Sequence, residues 1–436
     1  MRRKIIIALF AVFALFLGLL ILPELLSNEP RYKGKRVTRW FKQYYQSGQN
    51  SSGGGRGKHD EAYEALQALG TNAVPFLLDE LFSTRKDNAL ITNVQNFLFL
   101  IQLPGPSGAP VVDADTIREE AAQAIIDINP PGDFIVPLVT NQLHGTNAAH
   151  CRAALYVLSK LRVGEREILP ILQAQVVGTN WNDQVLAIWD LVNLGPAARP
   201  ALPQLVEIIE NENRYGALFN ITHKVLAEIG ADAKVALPAL RARYDRETNA
   251  DVRVSLATTL CKIDAGQTNA LDDLVRYATI PGDPHRNNAL YRLTQIGPNA
   301  SRSAPAMVKL AQDENVTNWG PAIKILANSG LTNQAIAILT EKVSVQDART
   351  QFDAAWFILN YEPTNALAIE ILIKSIGYDS FAFNGIDRLA TLRPVPESGI
   401  VALRAVAKDN KSKFQKQAEK ALKKIKPEQL QSRSGK

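Results

Sequence analysis

A chain of 436 residues is too long for one ordinary globular core, so it holds either several domains or a quasi-linear array. With 46% hydrophobic and 21% charged residues it is a folding chain and not a disordered one. The net charge of +6 is uneven: residues 1–58 carry +9, residues 408–436 carry +7, and the stretch between them about −10, which argues against a nucleic-acid-binding body.

At the N-terminus, Arg2, Arg3 and Lys4 precede Ile5–Leu22, a run with no charged or strongly polar side chain. As a helix such a run spans roughly 27 Å, close to the hydrocarbon thickness of a bilayer. It exceeds the apolar core of about 7–15 residues usual in a cleaved signal peptide, and no cysteine follows for lipid attachment. Residues 1–30 are therefore expected to be an uncleaved signal anchor and transmembrane helix. A cleaved signal, with Ser27 as a weak site, is the alternative. The basic head predicts a single-pass protein of the cell membrane whose body lies outside the cytoplasm, on the periplasmic side. The basic residues from Arg31 to Lys42 count the other way.

Residues 31–58 read as a membrane-proximal helix followed by a Gly/Ser linker. Val37, Trp40, Phe41, Tyr44 and Tyr45 recur at helical spacing with Lys and Arg between them. Two readings fit: a first helix covering the end of the array, or an interfacial helix with its aromatic face near lipid and its basic face at the headgroups. Residues 47–58, rich in Gly and Ser, predict a mobile junction. A Pro/Gly-rich loop then runs from Leu103 to Asp115, either a surface excursion or a partner-binding loop.

The body, residues 59–426, carries a recurrent spacing. An apolar residue ending a helical stretch is followed nine positions later by proline: Ile128 and Pro137, Leu161 and Pro170, Leu194 and Pro203, Ile229 and Pro238, Ile296 and Pro305. A missing member falls near Leu271. In three copies Gly195, Gly230 or Gly297 follows the apolar residue, where glycine closes a helix, and proline is tolerated in a first turn. Each copy therefore reads helix, Gly stop, short loop, Pro start, helix. In one copy Val185, Ile188, Trp189 and Val192 define an apolar face, continued by Leu202, Leu205, Ile208 and Ile209. Thr-Asn pairs at 71–72, 146–147, 179–180, 248–249, 268–269, 317–318, 332–333 and 364–365 are expected to cap helix starts. Near the end, Phe414, Ala418, Ala421, Leu422 and Ile425 predict a final capping helix with a basic outer side, followed by a polar tail over residues 427–436.

On the segments Gly195–Leu205, Gly230–Leu240 and Gly297–Met307 the chain resembles the HEAT-repeat family, particularly its short bacterial members. The segment Lys33-Gly34-Lys35 leading to Trp40 also looks like the opening of exported HEAT-repeat proteins. The spacing is regular over residues 117–310 and looser after 320, where a TPR-like pairing is an alternative. The resemblance implies an all-α fold, an α-solenoid of HEAT-like helix pairs after the N-terminal transmembrane helix. It further implies a right-handed superhelix presenting an extended surface to partners, and no single reaction.

Chemistry is not indicated. His59, His144, His150, His223 and His285 form no His-Glu-x-x-His pattern, and no phosphate-binding loop or nucleophile elbow occurs. Cys151 and Cys261 allow no disulfide framework, and Cys151 beside His144 and His150 is a weak metal candidate. The expected function is a membrane-anchored scaffold for protein partners, with no catalysis, no cofactor, no metal and no nucleic acid. A structural envelope protein is the alternative, and a HEAT-like enzyme, glycosylase-like or bilin-lyase-like, a further one. Trp181 and Trp319, each directly after a Thr-Asn pair, are the candidate partner-binding residues. Packing on their own helices is the competing role for both.

Overall fold

The structure, a computed structural model, describes residues 28–48, 56–84, 113–211, 218–313, 318–345, 347–377 and 380–425. The run Ile5–Leu22, most of the Pro/Gly-rich loop and the tail 427–436 lie outside the described residues. Among the described residues every element is helical apart from one two-stranded hairpin. No helix among them is long and apolar enough to cross a membrane. The chain divides into two compact units, one ending at Gln204 and one beginning at Leu205.

The first unit opens with the hairpin, β1 (Arg31–Tyr32) antiparallel to β2 (Lys35–Arg36). Lys33 and Gly34 turn it with φ of 48° and 76°. Two positive φ values in a two-residue loop are the geometry whose twist matches that of paired strands. Helix α1 (Val37–Gly48) follows and packs on α2 (Arg56–Leu69) and on α4 (Ala114–Ile128). Val37, Trp40, Phe41 and Tyr44 are buried there. Trp40 Nε1 donates to the Tyr32 carbonyl at 3.0 Å, and the Tyr44 hydroxyl donates to Asp127 at 2.7 Å. The aromatic face thus covers the end of the array and is not free to meet lipid, which corrects that half of the interfacial-helix alternative. Residues 49–55 of the expected linker lie outside the described residues; Ser47 and Gly48 end α1, Arg56 begins α2, and the two helices pack side by side.

Beyond α3 (Val74–Leu81), the helices α4, α6 (Ala148–Leu161) and α8 (Trp181–Leu194) pack successively on one another. Between them in sequence run α5 (Gly132–Leu143) and α7 (Glu165–Val176), packed on their neighbours in the chain. The division between units falls inside α9 (Leu202–Glu210).

The second unit repeats the scheme. One layer is α10 (Phe219–Ile229), α12 (Ala250–Ile263), α14 (Arg286–Ile296) and α16 (Gly320–Asn328), each against the next. Alternating with them are α11 (Leu237–Arg246), α13 (Thr268–Thr279), α15 (Ala304–Gln312) and α17 (Thr332–Val343). From α17 onward α18 (Ala348–Tyr361), α19 (Ala366–Ser375), α20 (Ala382–Thr391), α21 (Glu397–Lys408) and α22 (Gln415–Lys424) each pack on the helix before. The last, α22, buries Ala418 and Ala421, as does Ile425 just beyond it, while Lys416, Lys420, Lys423 and Lys424 stay exposed. Packing confined to sequence neighbours is how a repeat array hides apolar faces that no single pair could bury.

Two kinds of turn join the pairs, and one backbone angle separates them. Gly195, Gly230 and Gly297 have φ of 61°, 73° and 67° with ψ of −129°, −136° and −137°. That mirror-image extended region is open to glycine and closed to other residues. Each glycine leads into a seven-residue 3₁₀ segment, and Pro203, Pro238 or Pro305 is then the second residue of the next helix. Ala198, Ala233 and Ala300 are fully buried within these segments. In the first two copies Asn129 and Arg162 instead adopt the left-handed helical conformation, which ordinary residues can visit. The next α-helix starts at once, so Pro137 and Pro170 lie inside α5 and α7. The expected proline start is therefore right for the glycine copies and corrected for the other two.

The capping expectation narrows in the same way. Asn147, Asn180, Asn249 and Asn365 cap helices by accepting from backbone N–H groups. Among the described residues the threonines of these pairs supply no cap. Thr71-Asn72, Thr268-Asn269 and Thr332-Asn333 lie within helical turns, and Asn318 donates to Asn287 instead.

Candidate protein-interaction face

Polar side chains stitch successive repeats at the repeat interval. Asp190 on α8 is 1% exposed, yet it receives the Arg152 guanidinium and the Ser159 hydroxyl, the latter at 2.8 Å, from α6. Asn193 donates to Ser159 at 3.4 Å. Burial pushes the Asp190 carboxyl up from the ordinary carboxylate range, while Arg152 and Ser159 oppose the shift. In the second unit His223 Nδ1 lies 3.0 Å from Thr259 Oγ1, and Lys262 pairs with Glu228 at 2.8 Å. Asn299 donates to the Cys261 carbonyl, and Asn328 to that of Thr294. These partners are 31 to 38 residues apart, one repeat in each case.

A second device closes the helix ends. The last carbonyls of a helix have no partner within it. Here the first turn of a following helix supplies one: Arg118 reaches the carbonyl of Ser83, Cys151 that of Leu143, Gln184 that of Val176 and Arg253 that of Tyr244. Cys151 is thereby placed as a structural thiol, and burial raises its pKa. Cys261 is pushed up to about 12 by burial and by Asp264 and Asp272. Neither thiol is set up as a nucleophile. His150 meets Gln142 at 3.1 Å and lies against the Phe82 ring. Among the described residues no group of three His, Cys, Asp or Glu gathers around a common point.

With the inner side of α6 and α8 occupied by these contacts, their outer side carries aromatics. Tyr156, Trp181, Leu186 and Trp189 are exposed by 37%, 48%, 40% and 40%, large for side chains of that kind in a helix. Tyr156 lies on α6 within the electrostatic reach of Asp190 on α8, and Lys160 Nζ sits 5.7 Å from its ring. Trp189, Leu186 and Trp181 follow along α8. The expected core stripe of α8 is corrected here. Ile188 is fully buried, but its buried companions are Gln184, Ala187, Asp190, Leu191 and Leu194. Val185 and Val192 flank that stripe half-buried, and Trp189 points out.

The structure separates the two candidate tryptophans. Trp181 is the first residue of α8, after the capping Asn180, and stands open to solvent. Trp319 precedes α16 and is 5% exposed. Its ring lies 5.6 Å from Phe357 on α18, and Lys342 Nζ on α17 is 5.4 Å from its centre. Trp319 is a core residue of the second unit. Its burial follows from Gly320, beside which a Cβ would come within 2.9 Å of Phe357. Tyr156, Leu186 and Trp189 are the members of the face that sequence reasoning missed: Trp189 has a spacing that also suits a core stripe, and Tyr156 and Leu186 carry no distinguishing pattern.

No protein-family model matches the chain, and no curated protein matches its sequence. Among solved structures it is similar to Kap121p at 14% identity with a TM-score of 0.34, over 89% of this chain and 49% of that one. It is likewise similar to Kap121p bound to Nup53p, at 14% identity and a TM-score of 0.33, with the same coverage. A structure of Kap95p with RanGDP shares 14% identity at a TM-score of 0.34, over 90% of this chain and 61% of that chain. The chain spans about half the length of Kap121p. The architecture rests on the packing and the turns, not on these superpositions. Among the described residues, helix pairs closed by glycine or left-handed turns stack on their sequence neighbours as a helical-repeat array.

Proposed function

We propose that this protein is a membrane-tethered scaffold that binds other proteins through the outer face of its repeats and carries out no reaction of its own. The observation that carries the binding half is the exposure of Tyr156, Trp181, Leu186 and Trp189 on two adjacent helices whose buried sides meet through Asp190 and Ser159. Tryptophan and tyrosine combine a large apolar area with few rotatable bonds, so they dominate the energy of protein interfaces. The tether is supported by the length and uniform apolarity of Ile5–Leu22, and the exported body by the basic head before it.

The test is purification of the full-length protein from its own membranes after gentle solubilisation, with mass spectrometry of what accompanies it. A stoichiometric protein partner, retained by the wild type and lost from a Leu186→Ala/Trp189→Ala chain, is the expected result. Purification with no stoichiometric partner contradicts the scaffold and favours the purely structural alternative. Protease added to intact spheroplasts tests the orientation. Digestion of the body is expected, and protection until the membrane is lysed rejects export.

A further inference from the structure

The hairpin and the exposed side of α1 form a predominantly basic surface, in which Glu29 pairs with Arg36 and accepts from Thr38. Arg31, Lys33, Lys35, Arg36, Arg39 and Lys42 lie within twelve residues, and no acidic residue occurs between Pro30 and His59. Arg31, Lys33, Arg39 and Lys42 are exposed. Arg39 and Lys42 stand one turn apart on α1, opposite the buried Trp40, Phe41 and Tyr44. The aromatic side is held by the array, so only the charged side faces outward. Its backbone is fixed by the two-residue turn at Lys33-Gly34, by the bond from Trp40 to the Tyr32 carbonyl, and by Lys35 Nζ held 4.1 Å from the Trp40 ring. This is a rigid basic surface and not a floppy charged tail.

We infer that the hairpin β1–β2 and the outer side of α1 dock on anionic lipid headgroups. The inference extends the tethered reading. Leu22 and Arg31 are nine residues apart in the chain, so even a fully extended link holds the hairpin within roughly 30 Å of the end of the apolar run. The charge is of the sign that anionic phospholipid attracts, and each basic side chain near such a surface adds to the attraction. The attraction falls away over about a Debye length, roughly 8 Å at physiological salt, so docking requires the basic side chains to reach the headgroups. Residues 59–204, the rest of the first unit, are net acidic, so an anionic surface repels them and turns the hairpin of that unit toward itself.

The experiment reconstitutes the full-length protein into vesicles of phosphatidylcholine alone and of phosphatidylcholine mixed with phosphatidylglycerol. Lysine acylation rates are then read by mass spectrometry. Lys33 and Lys42 should react several-fold more slowly on the phosphatidylglycerol vesicles, and the protection should disappear at high salt. An Arg31→Gln/Arg39→Gln chain should lose most of the protection at Lys33 and Lys42. Equal rates on the two vesicles overturn the inference. If the protein fails to float with phosphatidylcholine vesicles, the transmembrane tether is wrong. The surface then still predicts flotation with phosphatidylglycerol vesicles that salt and the double substitution abolish, and its absence overturns the surface too.

Discussion

Arg152 and Asp190 face each other across one repeat boundary, and the carboxylate is almost wholly out of water while the guanidinium keeps about a quarter of its exposure. The pair joins α6 to α8 beneath the aromatic face. Removing Asp190 alone leaves a partly desolvated guanidinium, while the Ser159 hydroxyl keeps the Tyr156 carbonyl as acceptor at 3.0 Å. Asp190→Ala is therefore expected to cost about 2–4 kcal/mol in urea denaturation, less than a fully buried pair because Arg152 retains water. An Asp190→Leu/Arg152→Leu chain should recover more than half of that loss. A double variant as unstable as the sum of both single ones would show that the two residues do not act together.

His223 gives a pH dependence with a definite sign. Burial, with Lys224 and Arg292 nearby, lowers its pKa to about 3. The ring meets Thr259 Oγ1 at Nδ1, and that hydroxyl has the Ser255 and His223 carbonyls within reach at 3.2 and 3.4 Å. In the unfolded chain the imidazole titrates near its ordinary value of about 6.5, so between the two values the unfolded state binds more protons. Stability is thus full above pH 6.5 and declines as the pH falls toward 3. The loss from this group is roughly 2 kcal/mol by pH 5. His223→Gln should flatten the stability slope between pH 6.5 and 5, measured by urea unfolding at each pH. An unchanged slope would mean that the ring is not held neutral in the fold.

The turn geometry predicts opposite outcomes at equivalent positions. A Cβ on Gly230 would meet nothing within 4 Å, so Gly230→Ala suffers from backbone strain alone, at about 1–3 kcal/mol. Arg162, exposed and already in a left-handed conformation, should tolerate glycine within about 0.5 kcal/mol. Thermal melts of both variants check the contrast, and equal losses would refute the assignment of two turn types.

Removal of residues 408–436 should uncover Ile400 and Leu403, which are buried beneath α22 and its neighbours. Aggregation, read by light scattering, is the expected outcome. A truncated chain that stays monodisperse with unchanged melting would make the last helix dispensable.

Much of this fold was legible because its strongest constraints are local. Glycine can be recognised at Gly195, Gly230 and Gly297 since no other residue reaches their backbone angles, and Pro203, Pro238 and Pro305 follow as first-turn residues. The same proline spacing misleads at Pro137 and Pro170, because Asn129 and Arg162 select a different turn whose conformation leaves no unique residue signature. The hairpin before α1 was hidden by its brevity, although Lys33-Gly34 suits a two-residue turn. The candidate face was half legible. Trp181 was found at a helix start, but Trp189 and Val185 share a spacing that suits a core as well as a surface. Only the packing of Asp190 against Arg152 decides which side of α8 turns inward. Helical period alone cannot fix that rotation when two apolar stripes lie side by side.

Trp181 and Trp319 make the most direct test of the scaffold, because burial assigns them opposite behaviour. Thermal melting and capture of the co-purified partner should be measured together on Trp181→Ala, Trp189→Ala and Trp319→Ala. Trp319→Ala is expected to lose about 3–5 kcal/mol of stability, with any loss of capture following unfolding. Trp181→Ala and Trp189→Ala should melt like the wild type within about 0.5 kcal/mol and weaken capture by roughly 2 kcal/mol or more. Intact capture by both exposed-tryptophan variants, with wild-type melting, would contradict the account.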